Sequence, residues 1–133
     1  MLYREGMVED AAPRISIGTI AMEAADPPAL AGFWGALLHR EAQVGDGAAF
    51  LPGNRPGEPG LLIQPLTGPR PERQISHPDL FVPDGSRTAE ASRAVDLGAT
   101  FRWEVLDEYP GVRWSTLADP EGNLFCIAEH EGH

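Results

Sequence analysis

Apolar residues near the start of the chain change their spacing, and the change predicts a strand followed by a helix. Residues 15–22 (ISIGTIAM) are rich in β-branched side chains over the length of one strand. Positions i, i+3, i+4, i+7 and i+8 of the next segment are Leu30, Phe33, Trp34, Leu37 and Leu38. That spacing predicts an amphipathic helix with one wide apolar stripe. Asp26-Pro27-Pro28 predicts its start, because Asp caps helices and Pro suits the first helical position.

Shorter apolar runs after this helix predict a group of strands. The candidates are a weak strand near residues 41–44 and two clearer ones at residues 48–51 and 61–64. A loop rich in Pro and Gly separates the last two. The Pro-rich residues 65–73 then predict an extended connector.

The same order of elements repeats after the connector. Residues 75–82 predict a strand, and Asp84-Gly85-Ser86 predicts a second helix start. Strands are then predicted at residues 100–106, 111–117 and 124–128, the last two joined by the tight turn Asp119-Pro-Glu-Gly-Asn123. The helix starts Asp26 and Asp84 lie 84 − 26 = 58 residues apart. Two strand–helix–strands units of nearly equal length therefore fill the chain.

Three segments resemble the glyoxalase / bleomycin-resistance / dioxygenase proteins of the vicinal oxygen chelate superfamily. They are DPPALAGFWGALL (26–38), DLGATFRW (96–103) and ADPEGNLFC (118–126). The resemblance implies an α+β fold of two βαβββ modules that form a shared curved-sheet cleft. It predicts a single domain at residues 15–129, with module one at about 15–66, a linker at 67–74 and module two at about 75–129. Residues 1–14 are expected to be a flexible tail and residues 130–133 a second, solvated tail that includes His130 and His133.

The resemblance also indicates where a metal ion would bind. The four ligand positions of metal-using relatives fall on Gly18, Gln64, His77 and Cys126. Gly18 has no donor side chain, and Cys126 replaces an expected carboxylate with a sulfur that is a ligand only as thiolate. We therefore expect no metal ion and no other cofactor, although a Gln/His/Cys site for a divalent ion stays open as an alternative.

His77 and Asp79 are the candidate catalytic pair. Residues two apart on a strand share a face, and a carboxylate beside an imidazole can orient it as a general base. The alternative is that Asp79 pairs with an arginine or faces water. Alternation also predicts that Trp103 shares a face with Phe101, and that Trp114 shares one with Val112 and Thr116. Each tryptophan either lines the cleft or packs beneath a helix. The predicted ligand-binding residues are Gln64, His77, Asp79, Phe81, Trp103, Trp114 and Cys126.

Charge and cysteine content narrow the possible partners. The chain has 20 acidic and 10 basic residues, a formal charge of −10, which argues against a nucleic acid or an anionic membrane as partner. One cysteine cannot form an intrachain disulfide and is typical of a reducing cytoplasm. The first residues form no apolar signal region, and the apolar run 29–38 is too short to span a bilayer. A cytoplasmic location is expected.

These observations favour a metal-free protein that binds a small organic molecule, aromatic or antibiotic-like, in its cleft. The alternative is a metal-dependent or His-based lyase, isomerase or dioxygenase of the glyoxalase type, and a third possibility is a domain for protein association. The sequence does not identify the ligand and does not decide whether turnover occurs. A homodimer is expected, because relatives of this length pair and the helical stripe 30–38 has more apolar surface than a short helix needs.

Overall fold

The computed structural model describes residues 15–133 and contains two four-stranded sheets, each associated with one helix. The predicted tail at residues 1–14 lies outside the described residues. The first unit consists of β1 (Thr19–Ala24), α1 (Pro27–Leu38), β2 (Gln43–Gly45), β3 (Ala48–Leu51) and β4 (Gly60–Pro65). The second consists of β5 (Asp79–Val82), α2 (Arg87–Leu97), β6 (Thr100–Tyr109), β7 (Val112–Ala118) and β8 (Leu124–His130). The predicted doubled βαβββ order is confirmed.

Both sheets have the same topology. Their strand orders are β1-β4-β3-β2 and β5-β8-β7-β6, and in each the first strand runs parallel to the last. The other neighbours are antiparallel. β5 is therefore an edge strand, and Pro78 just before it accepts a hydrogen bond from the Cys126 N–H through its carbonyl. The missing N–H of Pro78 costs no ladder bond at such an edge.

The predicted helix starts are confirmed, and backbone conformation ends each helix. Asp26 caps α1, since its Oδ1 accepts the Ala29 N–H at 3.2 Å. α1 ends at His39, which is left-handed with φ 56°. α2 ends at Gly98, whose φ of 127° is unfavourable for a residue with a side chain.

One core lies between the helix-covered faces of the two sheets. Leu30, Phe33 and Trp34 of the α1 stripe are at most 5% exposed. They pack within the chain, and the rings of Phe33 and Trp34 lie 6.1 and 5.0 Å from that of Phe125 on β8. The stripe that suggested a dimer surface is thus used inside the monomer, and the dimer prediction needs another basis.

The turn 119–123 joins the second unit to the first. Asp119, only 3% exposed, accepts the Trp34 indole N–H and the N–H groups of Glu121 and Asn123. The carboxylate of Glu121 accepts the N–H groups of Ala25 and Asp26 at 2.7 and 2.8 Å. The turn therefore fixes the position of the α1 N-terminus. No helix within residues 15–133 has the length and hydropathy needed to cross a membrane.

Candidate ligand site on the open face of the second sheet

A cavity of about 440 Å³ lies on the face of the second sheet that α2 does not cover. Strand pairing arranges its lining in rows: Asp79 lies beside Cys126 and Cys126 beside Thr116, and the next row contains Phe81, Ala128 and Trp114. Every strand of this sheet contributes aromatic, polar or small apolar side chains to the lining, and His77 joins them from just before β5. The lining residues are His77, Asp79, Phe81, Trp103, Tyr109, Val112, Trp114, Thr116, Leu124, Cys126, Ala128 and His130. The sheet thus brings together residues that are up to 53 positions apart (130 − 77 = 53).

His77, Asp79 and Cys126 form a polar cluster at one end of the cavity. The Nε2 of His77 lies 3.1 Å from the Asp79 Oδ1, with both side chains about half exposed. One donor atom from each of the three residues lies within 4.8 Å of the others. The expected proximity of His77 and Asp79 is present in the structure, and Asp79 pairs with His77 instead of an arginine.

Cys126 is held as a neutral thiol. Burial raises the pKa of the Cys126 thiol above its ordinary value of 9.0. The Thr116 hydroxyl, 3.2 Å from the sulfur, opposes this rise, while the negative charge of Asp79 adds to it. At neutral pH Cys126 is therefore neither a nucleophile nor a thiolate ligand.

Aromatic rings surround the rest of the cavity. The rings of Tyr109 and Trp114 are stacked with centroids 6.1 Å apart, and Phe81 meets the His130 ring edge-on at 4.9 Å. Phe81 is 72% exposed and Trp103 is 47% exposed. The site therefore offers ring surface that no residue of the described chain covers.

A β-bulge decides which aromatic side chains reach the cavity. The register shifts between Phe101 and Trp103, so Phe101 lies opposite Leu117 on the helix-covered face and Trp103 lies opposite Thr116 on the open face. The prediction that Phe101 and Trp103 share a face is wrong, because a bulge inserts one residue and reverses the alternation. The cavity position of Trp103, one of two alternatives left open by the sequence, follows from that bulge.

Two ring-bearing residues of the lining were missed by the sequence analysis. Tyr109 lies three residues beyond the predicted end of its strand, and His130 was assigned to a solvated tail. That assignment is wrong: His130 ends β8, the Glu131 N–H donates to the Gly111 carbonyl, and the Asp84 N–H donates to the His133 carbonyl. The available signal was the alternation of Trp114 with Val112 and Thr116, which extends to the residues that lie opposite on the neighbouring strands.

Gln64 does not join this cavity within one chain. It is exposed on the open face of the first sheet, beside Glu23, whereas the cavity lining comes entirely from residues 77–130. Gly18 lies on the opposite side of the first sheet from Gln64. Alternate residues of a strand share a face, so Gly18 lies on the same side as the buried Ala24, which is the helix-covered side, whereas Thr19 shares the open face.

The four metal positions implied by the resemblance therefore do not fit a divalent ion in the described chain. Gly18 has no donor, Gln64 belongs to the other sheet, and Cys126 is a neutral thiol. The cluster of His77, Asp79 and Cys126 has suitable spacing, but its sulfur must lose a proton that burial and the Asp79 charge stabilise.

Two arginines of the second module are engaged on the opposite, helix-covered side of the sheet. Arg87, 8% exposed, donates to Glu129, Glu104 and Ser115. Arg113 also donates to Glu129, at 3.1 Å. Desolvation acts to raise the pKa of Glu129, but these hydrogen bonds and one from the Gly85 N–H outweigh it and lower the pKa to about 2.

A comparison with known families assigns this architecture. The family model described as "Glyoxalase-like domain" matches residues 19–128. The chain belongs to the glyoxalase-like domain family. Among curated proteins, none matches this glyoxalase-like protein at a significant level.

Solved structures with a similar fold match this chain over nearly the whole length of both chains. A glyoxalase/bleomycin resistance protein/dioxygenase family enzyme from Burkholderia phytofirmans PsJN is 14% identical with a TM-score of 0.73, covering 87% of this chain and 99% of its own. The genomically encoded fosfomycin resistance protein FosX from Listeria monocytogenes is 16% identical with a TM-score of 0.68, covering 91% and 96%. TioX from Micromonospora sp. ML1 is 15% identical with a TM-score of 0.60, covering 87% and 99%. At these identities the similarity establishes the fold.

Proposed function

We propose that this glyoxalase-like protein binds a small, partly aromatic organic molecule in the cavity of the second sheet, without a tightly held metal ion. The observation that carries the proposal is the exposed ring surface of Phe81 and Trp103 around a cavity of about 440 Å³. Flat ligands gain dispersion and stacking energy from such rings. Pockets that combine apolar walls with a few convergent polar groups are typical of small-molecule sites.

The polar cluster gives the ligand an orientation. His77 and Asp79 lie at one end of the cavity, and the remaining walls are mostly apolar or aromatic. A ligand with a hydrogen-bonding group at one end and a ring at the other satisfies both regions. The names of two similar structures mention resistance to fosfomycin or bleomycin, so antibiotic-like molecules belong in a ligand screen.

A thermal-shift screen of aromatic metabolites and glycopeptide antibiotics tests this function. A ligand that binds only the native state adds about 2.7 kcal/mol of stability at a hundredfold excess over Kd. Phe81→Leu should reduce the shifts, and Phe101→Leu is the matched control, since Phe101 is a half-exposed ring on the other face. Shifts that persist in Phe81→Leu, Trp103→Leu and His77→Ala would place the ligand elsewhere and refute the proposal.

We also propose that the protein is a homodimer in which the open face of the first sheet of one copy covers the cavity of the other. Phe81, Trp103 and Tyr109 expose 47–72% of their surface, which is unusual for large rings of a monomer. The arrangement would bring Gln64 to the cavity.

Light scattering tests this assembly and should give twice the chain mass of 14.3 kDa. The substitution Phe81→Glu should shift the protein to monomer, whereas the control Phe101→Glu should leave the dimer intact. A wild-type mass of about 14.3 kDa at micromolar concentration would contradict it.

The contact of 3.1 Å between His77 and Asp79 favours one alternative function, proton transfer within the bound molecule by His77 as general base. Asp79 would orient the imidazole and stabilise its protonated form. NMR spectra of each screening hit, recorded over hours with catalytic amounts of protein, distinguish the two functions. Unchanged ligand supports binding alone, whereas conversion that disappears in both His77→Ala and Asp79→Asn supports an enzyme.

A further inference from the structure

We propose that the cavity selects a cationic ligand, specifically an organic cation such as a quaternary or protonated amine attached to an aromatic group. The inference rests on the proposed function and specifies its ligand class. It follows from the charge of the lining residues, from the aromatic rings that surround the cavity, and from the position of the arginines of the second module.

The cavity contains one acidic group, and its partner is a histidine, not an arginine. Of the twelve lining residues in the described chain, Asp79 is the only carboxylate, and none is lysine or arginine. Its side chain is 53% exposed, and its partner is the imidazole of His77. Cys126 adds no charge, because burial raises the pKa of its thiol. Apart from the imidazoles of His77 and His130, the only charged group of the described lining is therefore the Asp79 carboxylate.

Two nearby arginines of the second module do not compensate this charge. Arg87, at the start of α2, and Arg113, on β7, lie on the helix-covered side of the sheet, where each is paired with Glu129 and with a second carboxylate. Arg102, at the bulge beside Trp103, is not among the lining residues. The strand that carries Tyr109 into the cavity also carries Asp107 and Glu108. The chain as a whole has a formal charge of −10, so the long-range field favours the approach of a cation.

The rings strengthen the same preference. The face of an aromatic ring is the negative end of its quadrupole and attracts cations within about 6 Å of the centroid. Phe81, Trp103, Tyr109 and Trp114 contribute four rings to one cavity, with Asp79 at its end. Cages of aromatic side chains recognise quaternary ammonium ions in other proteins. An anionic ligand would meet unfavourable interactions with both the carboxylate and the ring faces.

Three probes with one shared ring system test the inference with the full-length protein at pH 8. The cation is (2-naphthylmethyl)trimethylammonium, the neutral probe is 2-naphthylmethanol, and the anion is 2-naphthoate. Calorimetric titration should give about tenfold tighter binding of the cation than of the neutral probe, which is the size of a partly desolvated cation–π interaction. The anion should bind most weakly.

Asp79→Asn, which keeps the shape of the side chain and removes its charge, identifies the source of the preference. It should weaken the cation several-fold and the neutral probe by much less, whereas Asp96→Asn on α2 should change neither. Neutral or anionic probes that bind as tightly as the cation would overturn the charge selection while the cavity remains a binding site. If no probe binds although the screen has found ligands that depend on Phe81, the inference alone fails. If no molecule of either set depends on Phe81, the proposed function fails with it.

Discussion

The indole N–H of Trp34 donates a hydrogen bond of 3.0 Å to the Oδ2 of Asp119, and this buried contact joins the two modules. Trp34 belongs to α1 of the first module, and Asp119 opens the turn before the last strand of the second. The same carboxylate accepts the backbone N–H groups of Glu121 and Asn123. The turn that carries the family resemblance is therefore a structural element that holds the α1 helix against the second sheet.

Replacing Trp34 by Phe should lower the free energy of unfolding by about 1–3 kcal/mol, because a buried carboxylate oxygen loses a donor. Urea denaturation of the variant and the wild type measures the change. Trp103→Phe is the control, since Trp103 is half exposed on the open face and its change should stay within about 0.5 kcal/mol. Equal losses in both variants would show that the Asp119 contact contributes nothing.

Glu129 should make the stability of the protein sensitive to acid. Its pKa in the folded state is about 2, below the ordinary value of 4.5, so its contribution is present above pH 4.5 and is lost as the pH falls through 2. Glu129→Gln should cost about 3 kcal/mol near neutral pH, because the buried charge of Arg87 loses the more deeply buried of its two carboxylate partners. The variant should also lose stability less steeply between pH 4.5 and 2.5.

Urea midpoints measured from pH 7 to pH 2.5 check this prediction, with the exposed Glu108→Gln as the control. Parallel curves for Glu129→Gln and the wild type over the acid range would contradict the assigned pKa.

Cys126 should react slowly with iodoacetamide at pH 7.5, at least tenfold more slowly than in the unfolded chain, because burial raises its thiol pKa and limits access. Asp79→Asn should accelerate the reaction, since the Asp79 charge raises that pKa. Thr116→Val should slow it, since the Thr116 hydroxyl lowers the pKa. Mass spectrometry follows the alkylation. The opposite order of the two variants would show that the carboxylate and the hydroxyl do not control the thiol.

Protein purified without chelators should contain no stoichiometric divalent metal. Of the donors that the resemblance implies, Gly18 supplies none, Gln64 is an uncharged amide that reaches the cavity only across the proposed dimer, and Cys126 is a protonated thiol. Elemental analysis of the wild type and of His77→Ala provides the measurement. One Zn, Fe, Mn or Ni ion per chain that is lost in His77→Ala would reverse the conclusion and favour a metal-dependent enzyme.

Much of the architecture was predictable because it depends on residues that are near neighbours in sequence. The spacing of Leu30, Phe33 and Trp34 determines α1, and Asp26 determines its start. The alternation around His77 placed His77, Asp79 and Phe81 on one face, as the structure does. The doubled order of strands and helix appears in the sequence because each unit repeats the same short-range signals.

The composition of the site was decided by the tertiary structure. The contact between Trp34 and Asp119 spans 85 positions, and no local pattern indicates it. The bulge that separates the faces of Phe101 and Trp103 depends on the register with β7, as does the entry of Tyr109 into the cavity. Gln64 is kept apart from His77 because the two modules pack through their helix-covered faces, which leaves their open faces separate within one chain. Short-range spacing specifies which face of a strand a side chain occupies, whereas the energy of long-range packing specifies what that face meets.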